Sequence, residues 1–172
     1  AGYGYPETGQ TIVDITNGKI IRLLVDDSPF ALRYGDLHEH TRELDLRSGI
    51  LTREVDWSSP AGRRIPVRTR RLVSFTQRTV AAIEYVVQPV NEPLRIILQS
   101  ELVANESHPP VSDDPRAAAA LDRPLVAVAH DIDEHGAILL HRTRRSELLM
   151  AAGMDHHVEG SVDDDDVDLD AR

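Results

Sequence analysis

The histidines at His38 and His40, on either side of Glu39, are the first candidates for chemistry in this 172-residue chain. Residues i and i+2 of a strand project from the same face, so the two imidazoles could bind a metal ion if a third ligand joined them. The sequence identifies no third ligand. We therefore interpret the two histidines as surface residues or, together with the nearby Arg42, as contacts to a neighbouring domain, and we expect no metal and no cofactor.

Other acidic or histidine-rich segments have simpler interpretations. Residues 131–136 carry acids at positions one and three and glycine at position six, as in a calcium-binding loop. Position twelve is Arg142, where such a loop needs a bidentate glutamate, so a hairpin turn is favoured. His156 and His157 would point to opposite faces of a strand. The aspartate run at 163–166 is typical of a solvated segment.

Residues 63–78 carry six arginines and no acid. A basic strand with stacking aromatics could bind single-stranded nucleic acid, but Phe75 is the only aromatic residue in this segment. The net charge of the chain is −10, of which the six aspartates and one arginine of residues 161–172 contribute −5, leaving −5 on the rest. We expect no nucleic-acid partner, and we interpret these arginines as salt-bridge partners of carboxylates or as contacts to another domain.

Composition limits the enzyme classes. Cleavage of a glycosidic bond needs two carboxylates, or one acid and a bound phosphate, but no spacing among the 29 acidic residues selects a pair. The sequence contains no nucleophile elbow, no P-loop and no dinucleotide fingerprint. It has no cysteine, which excludes disulfides and thiolate catalysis. With no signal-peptide pattern and no apolar run near the ~20 residues of a membrane span, we expect a cytoplasmic location and no membrane partner.

The elements that position these residues are strands. Residues 42–57 predict two antiparallel strands joined at 47–49, with one alternating apolar face, which comprises Leu44, Leu46, Leu51, Val55 and Trp57. Asn17-Gly18 predicts a two-residue hairpin between strands at 11–15 and 19–25. Residues 79–88 are apolar on both faces, which predicts a central strand.

At least nine strand candidates and one short helix near 115–122 predict an all-β chain, most simply an antiparallel β-sandwich. The helix is indicated by aspartate and proline at its start and by Pro124 at its end. We assign residues 1–160 to the sandwich domain and 161–172 to an acidic loop or tail.

Several segments, in order and with suitable gaps, resemble the N-terminal domain of glycoside hydrolase family 65. The family includes maltose, trehalose and kojibiose phosphorylases and some acid trehalases. The best-matching segments are 18–30, 42–57, 59–64 and 99–106, and the resemblance runs from about Tyr5 to Gly160.

This resemblance implies a β-supersandwich of the galactose-mutarotase type that accompanies an (α/α)6 barrel. In the family the barrel carries the general acid and, in the phosphorylases, the phosphate site, so those residues cannot be placed on this chain. The resemblance implies a partial, non-catalytic N-terminal domain of an inverting enzyme that acts on maltose, trehalose or kojibiose by phosphorolysis or hydrolysis. Phosphate would be a co-substrate of the parent enzyme only.

The expected partners are the catalytic barrel of the parent chain and a second copy in a homo-oligomer, and the chain alone is expected to be inactive. The alternative is a stand-alone carbohydrate-binding or protein-interaction sandwich. A sugar platform would need an exposed aromatic residue, whereas the alternation places the single tryptophan, Trp57, on an apolar face. We therefore expect Trp57 to be buried, with its indole N–H paired.

Overall fold

The computed structural model describes residues 13–90, 93–106, 123–133 and 135–160. In these ranges the chain forms ten β-strands and no helix. The strands are β1 (Asn17–Val25), β2 (Ser28–Pro29), β3 (Asp36–Asp45), β4 (Ile50–Ser58), β5 (Arg64–Val73), β6 (Ala81–Val87), β7 (Ile96–Val103), β8 (Leu125–Ile132), β9 (Gly136–Thr143) and β10 (Leu149–Asp155). The expected helix near 115–122 and the acidic segment 161–172 lie outside the described residues.

The strands form three sheets with the orders β2-β1-β7, β3-β4-β5-β6 and β10-β9-β8. The pairings within the second and third sheets and between β1 and β2 are antiparallel, which confirms the all-β, antiparallel prediction. The chain divides into two compact units, residues 21–100 and residues 1–20 with 101–172. No helix in the described ranges is long and apolar enough to cross a membrane.

The predicted hairpin at Asn17-Gly18 is wrong, because these residues begin β1. The side-chain oxygen of Asn17 accepts a hydrogen bond of 2.9 Å from the backbone N–H of Lys19. This local side-chain-to-backbone bond, which is common in turns, here forms at the start of a strand. The chain reverses instead after β1, where Val25 pairs with Ser28. Asp26 adopts a φ of 50°, a conformation that aspartate tolerates better than most residues.

The predicted reversal at 47–49 is confirmed. β3 and β4 pair from Asp45 opposite Ile50, and the backbone N–H of Gly49 donates to the carbonyl of Asp45 over 2.8 Å. Gly49 has a φ of +73°, which glycine adopts without steric cost. The carboxylate of Asp45 accepts hydrogen bonds from the Ser48 hydroxyl and the Arg47 N–H, which lower its pKa.

The core of the unit 21–100 lies between two sheets, because side chains of β1 pack with those of β4 and β5. Its buried members are Leu23, Val25, Val55, Trp57, Ile65 and Val67. Phe30 packs edge-on against the Trp57 indole, with ring centroids 5.2 Å apart. Two apolar sheet faces in contact are the defining feature of a sandwich.

Trp57 is fully buried, as expected, but its N–H is not paired. Among the described residues no acceptor reaches Nε1. Gly35 lies against this edge of the indole, since a Cβ added there would sit 2.7 Å from Nε1. The close approach of this backbone leaves the indole packed but without a hydrogen bond.

The prediction that residues 79–88 form a central strand is wrong. β6 is an edge strand of its sheet in the described structure, paired only with β5. Ala81 and Ala82 are exposed, so the two-sided apolar pattern arises partly from small residues that lose little when solvated. Only one side of β6 contributes to the core, through Tyr85 and Val87.

Candidate functional site

The four-stranded sheet β3-β4-β5-β6 has two faces of different chemistry. Alternation along each strand, combined with the pairing register, assigns every residue to a face. We call the side that contains Trp57 the core face. It comprises Leu37, His40, Arg42, Leu44, Leu51, Arg53, Val55, Trp57, Ile65, Val67, Thr69, Arg71, Val73, Ala81, Ile83, Tyr85 and Val87. The opposite side is called the acidic face.

The acidic face carries every carboxylate of the four strands. These are Asp36, Glu39, Glu43, Asp45, Glu54, Asp56 and Glu84. Arginines from β5 balance part of this charge. Arg64 Nε donates to Asp56 over 2.9 Å, and Arg70 lies 3.7 Å from Glu84. Asp56 and Glu84 are therefore paired with arginines of their own face, in solvent.

The hydrogen bond from Arg64 is the largest cause that lowers the pKa of Asp56, and burial opposes it. An open groove of about 290 Å³ adjoins Asp56, with Glu39, Glu54 and Arg68 among its lining. A general acid needs a raised pKa, so the ion pair pushes Asp56 away from that role.

The core face carries no carboxylate. Beyond its buried end it presents three arginines from three adjacent strands, Arg42, Arg53 and Arg71. Arg53 Nε donates to Nε2 of His40 over 3.2 Å. Within the described residues none of the three arginines has a carboxylate partner within 4.0 Å. We call Arg42, Arg53, Arg71, His40 and Tyr85 the cationic patch.

Tyr85 lies within the electrostatic reach of two of these arginines. Burial raises the pKa of its phenol, and the charges of Arg53 and Arg71 partly offset that rise. Thr69, which stands between Arg53 and Tyr85 in the sheet, is only 6% exposed. The inner part of the patch is therefore held in a half-buried surface, whereas Arg42 on β3 is exposed.

The structure does not bring His38 and His40 together. A β-bulge lies between Leu37 and Glu39, and it changes the alternation at His38. His38 Nε2 forms a hydrogen bond of 2.7 Å with the hydroxyl of Ser58 on the acidic face. His40 bonds to Arg53 on the core face. The expectation that the two imidazoles share a face is wrong, because sequence alternation does not reveal the bulge.

The remaining sequence candidates have local structural roles. Asp133 closes the hairpin between β8 and β9, since its carboxylate accepts from the N–H groups of His135 and Gly136 and its pKa is lowered by these bonds. His156 Nδ1 lies 2.9 Å from the carbonyl oxygen of His135. His157 Nε2 lies 3.4 Å from Glu159. No group of three or more potential ligands gathers for a metal within the described ranges.

Sequence reasoning found the arginines of β5 but not their division between two faces. Arg63, Arg64 and Arg70 have carboxylate partners, as expected. Arg71 follows Arg70 directly and points to the other face. The sequence of β4 contained a signal for this division, because its even positions from Thr52 to Ser58 are polar and its odd positions hold Arg53 among apolar residues.

The comparisons with known proteins are consistent with this fold. The sequence matches the description "Glycosyl hydrolase family 65, N-terminal domain" over residues 1–171. It is 62% identical to an uncharacterized glycosyl hydrolase of Mycobacterium tuberculosis, over 92% of this chain and 20% of that protein. It is 31% identical to an alpha,alpha-trehalose phosphorylase of Thermoanaerobacter brockii, over 96% of this chain and 23% of that enzyme. The chain thus spans about a fifth of the length of these relatives.

A solved structure supports the same fold. It is a protein from the human microbiome, provisionally named a kojibiose phosphorylase, and it superposes with a TM-score of 0.69. The match covers 87% of this chain and 18% of the other, at 18% sequence identity. At this identity the likeness shows the fold alone.

Proposed function

The chain belongs to glycosyl hydrolase family 65 as its N-terminal domain, and from this premise we propose that it is the non-catalytic sandwich domain of a larger inverting enzyme that cleaves an α-glucoside disaccharide. The observation that carries the proposal is the match to trehalose phosphorylase, which covers 96% of this chain but 23% of that enzyme. In this proposal the domain supports a catalytic barrel elsewhere in the polypeptide.

The placement of the carboxylates supports a structural role. Asp45 and Asp133 are fixed by backbone and hydroxyl donors in turns, and Asp56 is fixed by Arg64. Each of these contacts lowers the pKa of the acid concerned. Such bonds stabilise the ionised form, which suits an ion pair or a turn better than proton donation.

We propose a disaccharide such as trehalose, kojibiose or maltose as the substrate of the parent enzyme. Relatives named trehalose phosphorylase and kojibiose phosphorylase support this choice. Phosphate would be the co-substrate in phosphorolysis, and water would replace it in hydrolysis. We further propose a cytoplasmic enzyme that forms homo-oligomers.

The rival function is a stand-alone sugar-binding module. Its best candidate for a stacking platform was Trp57, which is 0% exposed and packed against Phe30. A sugar ring cannot stack on an indole that the core encloses. This burial favours the supporting role over the module.

The test compares the isolated chain with the full-length gene product on trehalose, kojibiose and maltose, with and without phosphate. We expect the full-length enzyme to release glucose, with β-glucose 1-phosphate as the second product if it is a phosphorylase, and we expect no turnover by the isolated chain. The anomer is read by proton NMR. Turnover that stays with the isolated chain through several columns would refute the proposal, and saturable millimolar sugar binding by that chain would favour the module.

A further inference from the structure

We propose that the cationic patch is the docking surface for a carboxylate-bearing segment of the parent polypeptide that lies outside this chain. The inference rests on the proposed function in one respect, since it requires a parent polypeptide. The inference goes further by naming the face of the sheet that is covered and the carboxylate groups of the segment that covers it. Three observations carry it: charge, continuity with the core, and the length of the relatives.

The first observation is charge. The chain has a net charge of −10, yet the core face collects Arg42, Arg53 and Arg71 without a single acid. Like charges on neighbouring strands repel, and partial burial of Arg53 and Arg71 reduces the screening by solvent. Seven carboxylates of the same strands stand on the other face, where they cannot compensate. A carboxylate from elsewhere would relieve this repulsion.

The second observation is continuity with the core. The patch occupies the same face as Val55, Trp57, Ile65 and Val67, which the other sheet covers. Around the arginines the face continues with apolar residues, Leu51 and Ile83 half-buried and Leu44 53% exposed. An arginine cluster framed by leucine and isoleucine is typical of a protein interface, where arginine is enriched and most other charged residues are depleted.

The third observation identifies the occupant. About four-fifths of each matched relative lies beyond the region that this chain matches, so the parent polypeptide has ample chain to cover the patch. Guanidinium groups bind carboxylates in a planar, bidentate geometry that suits such an interface. A free oxyanion would leave the surrounding apolar side chains in water. A second copy offering its acidic face would make a head-to-tail contact, which generates a ring or an open filament rather than the two-fold dimer that is commonest among oligomers.

The experiment uses the full-length protein and a zero-length reagent. Arg71→Lys keeps the positive charge and places an amine on the patch, which a carbodiimide couples to any carboxylate in contact. Arg68→Lys is the matched control, since Arg68 lies three residues away on the acidic face and is paired with Glu54 in the sheet. Peptide mass spectrometry on a mixture of light and heavy-isotope protein separates links within one molecule from links between two.

We expect the peptide that contains position 71 to be linked, within one molecule, to an aspartate or glutamate beyond residue 172. The control should link to Glu54 or another carboxylate of its own face. The proposal is overturned by absence of a position-71 link while the control links, by a link to any acid of this chain including 161–172, or by a link between two copies.

This outcome is separable from the proposed function. A full-length protein that shows the position-71 link but cleaves none of the disaccharides would retain the docking surface and refute the enzymatic proposal. An active enzyme without the link would refute the docking surface alone. Arg53→Lys provides a second position on the patch, on the adjacent strand, and should link to the same segment.

Discussion

Arg70 and Arg71 are neighbours on β5, yet they experience opposite electrostatic surroundings. Arg70 faces Glu84 across the strand pair at 3.7 Å, on a face that carries seven carboxylates. Arg71 lies opposite Leu51 and Ile83, diagonal to Arg53, on a side that carries no carboxylate. Two adjacent residues of one strand thus lie on different surfaces: one face supplies carboxylate partners for its arginines, and the other supplies none.

The comparison also separates two kinds of stability. The core face derives its stability from area removed from water, concentrated at Trp57 and its neighbours. The acidic face derives little from each ion pair, because exposed pairs typically contribute ~0.2–1 kcal/mol. The effects of substitutions on the free energy of unfolding should therefore differ between the two faces in size and in pH dependence. For the arginines they should also differ in sign.

The largest effect is expected at the buried end of the core face. Trp57→Ala should destabilise the chain by ~3–5 kcal/mol, because it empties a large aromatic site in a core that cannot collapse fully. Circular dichroism in urea measures this loss after the only tryptophan is removed. Leu44→Ala, on the same face but 53% exposed, is the control and should change the free energy of unfolding by less than ~1 kcal/mol.

Fluorescence checks the same assignment without a substitution. Because Trp57 is the single tryptophan, the emission of the native chain reports on this site alone. We expect a blue-shifted maximum that iodide hardly quenches. An emission maximum typical of a solvated indole would contradict the buried assignment and revive the sugar-platform hypothesis.

The next largest effect is expected at Gly35, which supports the indole. A Cβ there would lie 2.3 Å from the carbonyl oxygen of Ser58, and the φ of 130° is one that side-chain-bearing residues rarely adopt. Gly35→Ala should lower the free energy of unfolding by roughly 2–3 kcal/mol, the upper part of the ~1–3 kcal/mol typical of a strained backbone conformation, because the added Cβ also clashes with its neighbours. The unfolding midpoint in urea measures it.

Gly62→Ala is the matched control for Gly35→Ala. Gly62 also has a positive φ, of 80°, but nothing lies within 4 Å of an added Cβ. Gly62→Ala should lower the free energy of unfolding only by the intrinsic penalty of a positive φ for alanine, about 1 kcal/mol. Equal losses of stability in the two variants would show that the close packing of Gly35 against Trp57 and Ser58 does not contribute to the effect.

The β3–β4 hairpin and the burial of Trp57 could be predicted because they depend on local patterns. Gly49 provides the positive φ at the turn, and apolar alternation in β4 identifies Val55 and Trp57. The same alternation predicted a place for Leu44 on the apolar face, but Leu44 is 53% exposed because it lies on the edge strand β3. Alternation identifies a face, but sheet order decides whether another layer covers it.

The candidate site was harder to predict because it depends on register. Arg42 and His40 were identified as contact residues, and that assignment stays a prediction. Their grouping with Arg53 and Arg71 requires the alignment of three strands, and the bulge at His38 shifts that alignment by one residue. No local sequence pattern encodes a bulge of this kind, so the pairing of His38 with His40 was wrong.

A smaller effect, dependent on pH, is expected on the acidic face. Asp56 has a lowered pKa through Arg64, so its ion pair stabilises the fold above the unfolded value of 3.8 and loses that contribution as pH falls through the lower folded value. Asp56→Asn should lower stability at neutral pH by up to about 1 kcal/mol and flatten this acid decline. Urea midpoints from pH 6 down to 2.5 measure it.

Arg64→Gln should flatten the acid decline as Asp56→Asn does, because both remove the same pair. The double substitution should add little to either single one. Asp45 and Asp133 retain their turn hydrogen bonds in these variants, so part of the acid decline should remain. Additive losses in the double variant would show that Asp56 and Arg64 stabilise the chain independently.

The smallest effect distinguishes the two faces by sign. In the isolated chain, Arg70→Gln removes the partner of Glu84 and should lower the free energy of unfolding by ~0.2–1 kcal/mol. Arg71→Gln removes a charge that repels Arg53, so it should raise that free energy by a few tenths of a kcal/mol at low salt. Near 1 M salt, where the Debye length is about 3 Å, both differences should shrink. Paired urea titrations at two salt concentrations measure them, and a loss of stability in both variants at low salt would contradict the assignment of Arg71 to an uncompensated cationic patch.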